Sequence, residues 1–321
     1  MCRCGCGPGA RLLRLGLWSR SRGPASSQPP RRNGEILFAH GPDVYFTHQL
    51  YLMRPDGTHQ RPIMRAPDEV VNLSWSPDGE WIAYAIYPRE GQCSQLYLVR
   101  ADGTGAKRLG HDRCSGDFAW SPDGSRIAFS NSAGGFSSGG ISTMKVDGSD
   151  LRQLTRGNRL PDFAPAWSPD GATIAFTRDP QVPSLWLMEA DGTNLHRLRT
   201  PSRYAYCEGS SEPDWSPDGH WIAFTRICGA YDPSLRTWSN IFVVRPDGTG
   251  LRPLTNAGLR RKFSNDSPAW SPDGKRIVFV SDRGAKASLS DIYVMNADGT
   301  GQERLTRLPG WSGFPDWGAW R

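Results

Sequence analysis

Hydrophobic and polar residues alternate in short runs that recur at similar intervals along most of the chain. Alternation with a period of two, rich in Ile, Phe and Val, is typical of β-strands that present two different faces. A second apolar run follows each of these and leads into a DGT or DGS turn and a short segment such as RQLT. Together with the segment before the first run, these segments predict four strands in each unit. The first runs are WIAYAI (81–86), RIAFS (126–130), TIAFT (173–177), WIAFT (221–225) and RIVFV (276–280).

The pentapeptide WSPDG precedes each of the first runs. Repetition at this period indicates a propeller or a solenoid, whose units bury their apolar faces only against neighbouring units. The turn chemistry agrees, because Pro presets φ at about −65° and Asp-Gly tolerates positive φ. We assign the repeat tryptophans to the core, as wedges between neighbouring sheets. They are Trp75, Trp120, Trp167, Trp215, Trp270 and, in a truncated sixth copy, Trp317.

The two chain ends complement each other. Residues 35–58 offer the second and third strands of a unit without a first strand, and residues 315–320 (PDWGAW) offer a first strand with nothing after it. Joining them completes a sixth unit and removes exposed sheet edges. The sequence therefore predicts an all-β, six-bladed β-propeller of four-stranded antiparallel blades over residues 34–321, closed by its N- and C-terminal segments. Residues 1–33, rich in Gly, Pro, Ser and Arg, are predicted to form a disordered basic tail.

The repeat resembles the WD40-like (PD40) repeat of the TolB propeller family, whose consensus runs WSPDGxxIAF…IYxMxxDGTxxxxLT. The resemblance covers about residues 34–321 and includes five nearly intact copies. It implies the propeller fold and a protein partner, since the partners of TolB are envelope proteins. We expect this chain to lack the α/β domain that precedes the propeller in TolB. We also expect no hydrolase domain, which follows the related propellers of prolyl oligopeptidase-type enzymes.

Charge and hydropathy exclude some classes of function. The formal net charge is +6, but residues 1–34 hold seven arginines and no acid, so the propeller itself carries a charge near −1. A domain that binds nucleic acid would concentrate Lys and Arg on its folded part, so we expect no nucleic-acid partner. No run approaches 18 apolar residues, so we expect no membrane span, and we expect a monomer. Cys2, Cys4 and Cys6 could bind a metal, but a plain tail is the favoured interpretation.

The two rims of such a propeller differ in kind. SPDG and DG turns share one rim and are short and uniform, whereas the opposite rim carries the long, variable loops where binding residues usually lie. Two of the longest loops, around 200–214 and 227–240, meet in one blade, which we predict to set specificity. Acids precede the repeat tryptophans, where a ring at one channel mouth would favour a cation, a basic peptide segment or a metal such as calcium. Alternatively, they cap turns or pair with Arg159, Arg203, Arg260 or Arg261. These candidate partner-binding acids are Asp117, Asp162, Glu212, Asp214, Asp266 and Asp316.

Aromatic residues gather in the same variable loops. Tyr and Trp are common binding anchors because they combine a large apolar area with a polar edge. The alternative is that their rings fill the packing of the loops. The aromatic candidates for partner binding are Tyr204, Tyr206, Tyr231, Trp238 and Trp311.

The loop cysteines bear on cellular location. Cys93 and Cys114, like Cys207 and Cys228, occupy a pair of loop types on the variable rim, so two disulfides could pin the long loops. Four cysteines permit three connectivities. Disulfides would favour an extracytoplasmic protein, periplasmic or secreted. Free thiols in a cytosolic protein remain the alternative, because residues 15–18 (LGLW) are too short for the apolar core of a signal peptide.

The sequence gives less support to a catalytic function. GFSSG (135–139) matches G-x-S-x-G around Ser137, but that motif needs a strand-to-helix elbow and here lies in a loop between propeller strands. Some TolB-like propellers are metal-dependent uronate lyases, for which His40, His48 and His111 would have to converge. We therefore expect a non-enzymatic scaffold without a cofactor that binds a protein or peptide on its variable rim and channel mouth. The alternative is a propeller-based hydrolase or lyase acting on polysaccharide or peptide.

Overall fold

The computed structural model describes eleven stretches of the chain, and every regular element within them is a β-strand. Most of the tail predicted over residues 1–33 lies outside them, and the first strand already begins at Arg32. The described stretches are residues 32–43, 49–89, 93–110, 116–131, 139–157, 160–179, 182–199, 207–229, 237–257, 263–284 and 289–320.

The strands form six four-stranded antiparallel sheets, which we number as blades 1–6. Blade 1 orders its strands β24-β1-β2-β3, and the other five follow the chain. Blade 1 consists of β24 (Trp311–Trp320), β1 (Arg32–Gly41), β2 (Gln49–Met53) and β3 (Arg61–Arg65). Blade 2 consists of β4 (Glu69–Trp75), β5 (Trp81–Tyr87), β6 (Gln95–Arg100) and β7 (Lys107–Arg108). Blade 3 consists of β8 (Phe118–Trp120), β9 (Arg126–Asn131), β10 (Gly140–Lys145) and β11 (Arg152–Gln153).

The second half of the ring repeats this pattern. Blade 4 consists of β12 (Asp162–Trp167), β13 (Thr173–Arg178), β14 (Ser184–Glu189) and β15 (His196–Arg197). Blade 5 consists of β16 (Cys207–Trp215), β17 (Ile222–Cys228), β18 (Trp238–Val244) and β19 (Arg252–Pro253). Blade 6 consists of β20 (Asn265–Trp270), β21 (Arg276–Ser281), β22 (Asp291–Asn296) and β23 (Glu303–Arg304).

The two chain ends close the ring within blade 1. Strand β24 supplies the first strand of that blade and pairs antiparallel with β1, with Ile36 opposite Trp317 and Leu37 opposite Asp316. The indole N–H of Trp317 donates to the carbonyl of Gly34 over 3.2 Å, which ties the ends together beyond the ladder itself. The predicted six-bladed fold and its closure are therefore confirmed.

The core lies between the blades. An aromatic residue at the same place on each second strand is at most 1% exposed, and the repeat tryptophans pack beside it. Trp215 of blade 5 shares a buried cluster with Leu185 and Leu187 of blade 4, so each sheet buries its face against the next. Trp215, Trp270 and Trp317 are buried as predicted, whereas Trp75, Trp120 and Trp167 are half-buried and pack against the core clusters. The second-strand aromatics are Phe38, Tyr84, Phe129, Phe176, Phe224 and Phe279.

The repeated turns satisfy their own acids. In the first SPDG copy, the Ser76 hydroxyl donates to Asp78 and accepts the N–H of Trp81 over 2.9 Å. Gly79 has φ of 71°, which favours glycine there. In the first DG turn, both the N–H and the hydroxyl of Thr58 donate to Asp56. Neighbouring SPDG turns touch, since a Cβ on Gly124 would lie 3.8 Å from Pro77, so these turns form one packed rim.

Replacing Phe38 by Ala should destabilise the whole ring as much as replacing Phe224, its counterpart in a blade of continuous chain. Both rings are fully buried, and removing one should lower the free energy of unfolding by about 3–5 kcal/mol. Denaturant unfolding of the two variants and the wild type measures this. A loss confined to the Phe224 variant would mean that the closing blade contributes little to stability.

Candidate functional site

The first strands line the channel and share a backbone irregularity. In four blades the residue three positions before the repeat tryptophan has positive φ, namely Ala164 (48°), Glu212 (54°), Ser267 (51°) and Phe314 (51°). The strand pairing slips beside each of them, as expected for a bulge. Non-glycine residues hold this conformation only where their surroundings enforce it, so these bulges mark a constrained wall.

Acids of one blade hold the bulge of the next. The Glu212 carboxylate accepts the N–H of Ser267 over 3.0 Å, and Asp117 accepts that of Ala164 over 3.3 Å. Each such bond joins a first strand to the first strand of the following blade. Part of the predicted acid set therefore serves the ring as hydrogen-bond acceptors.

A second pair of acids, nearer the SPDG rim, also accepts backbone N–H groups of the next blade. Asp214 accepts the N–H of Trp270 over 2.7 Å, and Asp316 accepts that of Trp75 over 2.6 Å. Both acids directly precede a repeat tryptophan, whereas Glu212 and Asp117 lie two residues further from the turn. The acids therefore take two positions on the first strands, and their gathering at one channel mouth stays a prediction.

Enclosure by protein gives these acids unusual titration. Burial raises the pKa of Asp117 to about 6 and that of Asp214 to about 7, and neighbouring Glu212 and Asp316 add repulsion. Burial likewise raises the pKa of Asp266 to about 7, with repulsion from Glu212, and raises that of Asp316. Within the described stretches, none of these carboxylates forms an ion pair, and the four predicted arginine partners lie outside them. The channel wall thus carries negative charge without a matching cation.

Asp162 has a different setting. Its carboxylate is fully buried and receives Nε of Arg178 over 2.5 Å and Nη2 over 2.9 Å, with a further bond from the hydroxyl of Thr155. The Arg178 guanidinium also lies over the ring of Trp186, 4.4 Å from its centre. Asp162 is therefore part of an internal ion pair and stands apart from the uncompensated acids.

A cavity of about 280 Å³ opens between blades 5 and 6 on the variable rim, and we call it the blade 5–6 cavity. Glu212 and Asp266 bring two carboxylates to its wall. The Thr225 hydroxyl donates to Glu212 over 2.7 Å, and the Ser239 hydroxyl donates to Asp266. The remaining lining residues are Ser211, Ile227, Thr237, Trp238 and Ser264. This is the blade in which the two long loops were predicted to meet.

A disulfide shapes this end of blade 5. Strands β16 and β17 stay paired as far as Cys207 and Cys228, which are bridged across the ladder, one of the pairings that the sequence left open. Cys228 packs with Trp238, Ala257 and Phe263 in a small cluster beneath the cavity. Cys93 is also disulfide-bonded, while its predicted partner Cys114 lies outside the described stretches.

The predicted aromatic anchors divide between the cavity and the core. Trp238 lines the cavity and is 7% exposed. Trp311 meets Phe314 edge to face, with ring centres 5.4 Å apart, and packs on the core shared by blades 1 and 2, which favours the packing alternative for it. Tyr204, Tyr206 and Tyr231 lie outside the described stretches.

Sequence reasoning missed the hydroxyl groups that orient the two cavity acids. Thr225 is the middle residue of β17 (IAFTRIC), and Ser239 is the second residue of β18 (WSNIFVV). Their polar side chains within mainly apolar strands could have signalled them. Their relation to Glu212 and Asp266 depends on the bulges, which the sequence pattern does not reveal.

The histidines and the proposed nucleophile give no assembled centre in the described part of the chain. His40 shares a hydrogen bond of 3.0 Å with Ser312, and burial lowers its pKa. His48, His111 and Ser137 fall in stretches that are not described. Among the described residues, no three His, Cys, Asp or Glu side chains group closely enough to hold a metal ion. No helix there has the length and hydrophobicity to span a membrane.

The comparisons with known proteins place the fold. No family model matches the chain. It is 36% identical over 77 residues to the Tol-Pal system protein TolB of Geobacter sulfurreducens and 35% identical over 79 residues to the uncharacterized peptidase YuxL of Bacillus subtilis. These matches cover 24% and 25% of this chain, and only 16% and 11% of those proteins. The chain therefore matches a small part of either relative.

Solved structures match over nearly the whole chain. The structure of TolB from Acinetobacter baumannii has a TM-score of 0.70 at 20% identity, covering 88% of this chain and 66% of that one. A putative TolB from Agrobacterium tumefaciens has a TM-score of 0.64 at 22% identity, covering 91% of this chain and 100% of that one. The fold is that of a TolB-like six-bladed β-propeller. The resemblance drawn from the repeat is confirmed for the fold. Sequence identities of 20% and 22% show the fold alone and indicate no function.

Stability should depend on the channel acids in a definite direction. Asp214 and Asp266 have folded pKa values near 7, above the ordinary 3.8, so their contribution to stability is greatest in acid and is lost as pH rises through 7. Replacing both by Asn should raise the free energy of unfolding at pH 8, on the order of a few kcal/mol, because the neutral amide still accepts a hydrogen bond.

The gap between this variant and the wild type should shrink towards pH 5. The difference is the quantity to measure by denaturant unfolding, because His40, with its lowered pKa, acts in the opposite direction in both proteins. A gap of the same size at pH 5 and pH 8 would contradict the assignment.

Removing the bridge by changing Cys207 and Cys228 to Ser should lower the free energy of unfolding by about 2–4 kcal/mol, since it closes a 21-residue separation. Trp238 should also become more exposed because it packs on Cys228. Denaturant unfolding and tryptophan emission measure the two effects under non-reducing conditions. An unchanged emission spectrum would mean that the bridge does not hold the cavity wall.

Proposed function

We propose that this protein is a non-enzymatic binding propeller that recognises a protein or peptide on its variable-loop rim. The observation that carries the proposal is the contrast between the acids of its two sides. On the SPDG rim the turn aspartates are bonded within their own turns, and the Thr58 hydroxyl and N–H lower the pKa of Asp56, as equivalent groups do for five other aspartates. In the blade 5–6 cavity, Glu212 and Asp266 lie together without a cation among the described residues.

Electrostatics favours a partner segment with positive charge. A concave site lined by one sign of charge and walled by protein focuses potential and draws in the opposite charge. The cavity lies beside the channel wall, where Asp117 repels Glu212 and so adds to the negative potential. A basic loop or terminus of a partner is therefore the class of ligand that this rim suits.

Location and comparison fit the proposal. Disulfides persist in oxidising compartments. The Cys207–Cys228 bridge therefore favours an extracytoplasmic protein, as does Cys93, which is also disulfide-bonded. One relative is named as a protein of the Tol-Pal system, which is consistent with a role in an assembly. The similarity to a peptidase extends over only 11% of that protein. We propose a monomer that does not bind nucleic acid, given the near-neutral charge of the propeller.

Two matched surface variants test which rim binds. Leu160 and Val182 are exposed on the variable rim, and Leu151 and Leu195 are exposed on the SPDG rim, all at 37–46%. Changing Leu160 and Val182 to Glu should strongly reduce recovery of specific partners from a native extract, because added negative charge and lost apolar area weaken contacts on that rim. Changing Leu151 and Leu195 to Glu should leave recovery unchanged.

Quantitative mass spectrometry of captured proteins measures this, and thermal unfolding checks that both variants are folded. If the SPDG-rim variant alone loses its partners, the binding face is the other one. If no protein is captured by the wild type above a bead control, the proposal of a binding scaffold fails.

A further inference from the structure

We infer that the blade 5–6 cavity holds a single basic side chain, arginine or lysine, contributed by the bound partner. This inference rests on the proposed function and adds the chemistry of the residue recognised. It follows from the unused oxygens of two acids, from the lack of a counter-ion for them among the described residues, and from the size and lining of the space.

In each of the two cavity carboxylates, only one of the two oxygens accepts hydrogen bonds from described residues. Glu212 receives Thr225 and the N–H of Ser267 on Oε2, and Asp266 receives Ser239 on Oδ1. Among the described residues, no donor reaches Oε1 of Glu212 or Oδ2 of Asp266. The occupied oxygens fix both groups in place, so the other two are presented as preorganised acceptors. A cationic donor would meet acceptors that need no rearrangement.

The protein's nearby cation is committed elsewhere. Arg283 of blade 6 donates to Ser281 over 3.0 Å, to Asn265 over 2.6 Å and to Gln302 over 2.7 Å, and it lies over the rings of Phe263 and Tyr293. These contacts hold the guanidinium on blade 6, and it forms no ion pair with Glu212 or Asp266 among the described residues. Mutual repulsion of Glu212 and Asp266 contributes to the raised pKa of Asp266, which agrees with carboxylates left without a counter-ion.

The hydroxyl of Ser211 adds a separate observation. Ser211 is 8% exposed and lines the cavity, and its hydroxyl has no hydrogen-bond partner among the described residues. The hydroxyl is not one of the fully enclosed polar atoms without a partner, so a ligand or water that enters the cavity can complete it. Ser211 is next to Glu212 in the chain, which puts the hydroxyl beside the acid.

The lining suits a single basic side chain. The volume of about 280 Å³ lies at the lower end of the usual range of ligand pockets, about 300–1,000 Å³, so the occupant is small. Trp238 and Ile227 supply apolar wall, which suits the methylene stem of a basic side chain while its charged head reaches the acids. An arginine would use more of the acceptors than a lysine, because its planar guanidinium has five donors and also stacks on aromatic rings.

The test uses single-residue probes with the full chain. N-acetyl-arginine amide and N-acetyl-lysine amide are titrated separately, and N-acetyl-citrulline amide serves as the neutral match in shape. The indole N–H resonance of Trp238, assigned with a Trp238→Phe variant, reports weak binding by two-dimensional NMR. At least one basic probe should shift this resonance saturably and bind at least about tenfold more tightly than the citrulline probe.

Charge-removing variants complete the test. Glu212→Gln and Asp266→Asn should each weaken the basic probe by about tenfold or more, because each removes one partner of a close charge pair. Asp218→Asn, an exposed aspartate on the SPDG rim, should leave binding unchanged. Thermal unfolding confirms that each variant is folded. Equal binding of citrulline and arginine, or full binding by both cavity variants, would overturn the inference.

The outcome also separates this inference from the proposed function. If Glu212→Gln and Asp266→Asn recover partners like the wild type while the Leu160 and Val182 variant does not, the rim binds but the cavity does not read a basic residue. If the basic probes bind yet no partner is captured, the cavity assignment stands and the scaffold role falls.

Discussion

Backbone pairing between the two ends of the chain is the interaction on which the rest of the structure depends. Each blade buries its faces only against its neighbours, so an open array would leave two apolar sheet faces in water. Pairing of β1 with β24 supplies the missing first strand and creates the last two blade interfaces together. The channel, the separation of the two rims and the placement of every loop follow from this closure. Ring closure also makes the inner strands meet, which brings their acids near one another.

The inner wall combines two demands that oppose each other. Acids at the bulges and before the tryptophans accept backbone N–H groups of the next blade, which satisfies donors that would otherwise be buried without a partner. The same enclosure disfavours their ionised form, and the acids repel one another. A neutral acceptor would serve the ring with less electrostatic cost. Retaining carboxylates is therefore understandable where negative charge serves a ligand, which holds best for Glu212 and Asp266 because they have unused oxygens.

The fold could be predicted well from the sequence because it is determined by interactions between residues close in sequence, and these recur along the chain. Ser76, Asp78 and Gly79 determine a turn through contacts within a few residues, and the alternating strands determine which side faces the next blade. Even the closure could be predicted, since the two ends lack complementary strands. These are interactions between near neighbours in sequence, or between copies of one motif.

The candidate site could be predicted only in outline, because it depends on contacts between different blades. The loops of blade 5 and the acids Glu212 and Asp266 were found from sequence, but the role of each acid was not. Asp162 looks like its counterparts in sequence, yet Arg178 from the adjacent strand neutralises it. Asp214 and Asp316 accept equivalent N–H groups in the next blade, those of Trp270 and Trp75. This relation is visible only once the ring is closed.

The blade 5–6 cavity arises where the repeat is broken. Strand β16 has nine residues, against six in β12 and β20, and the extra length carries the β16–β17 hairpin out to the bridged Cys207 and Cys228. The longer hairpin supports Trp238 through Cys228, while the shorter β20 beside it ends at Asn265. The blade 5–6 cavity lies between this longer hairpin and the shorter β20, with Glu212 on one side and Asp266 on the other. The candidate site therefore coincides with a departure from the repeat, and a repeat pattern alone does not predict it.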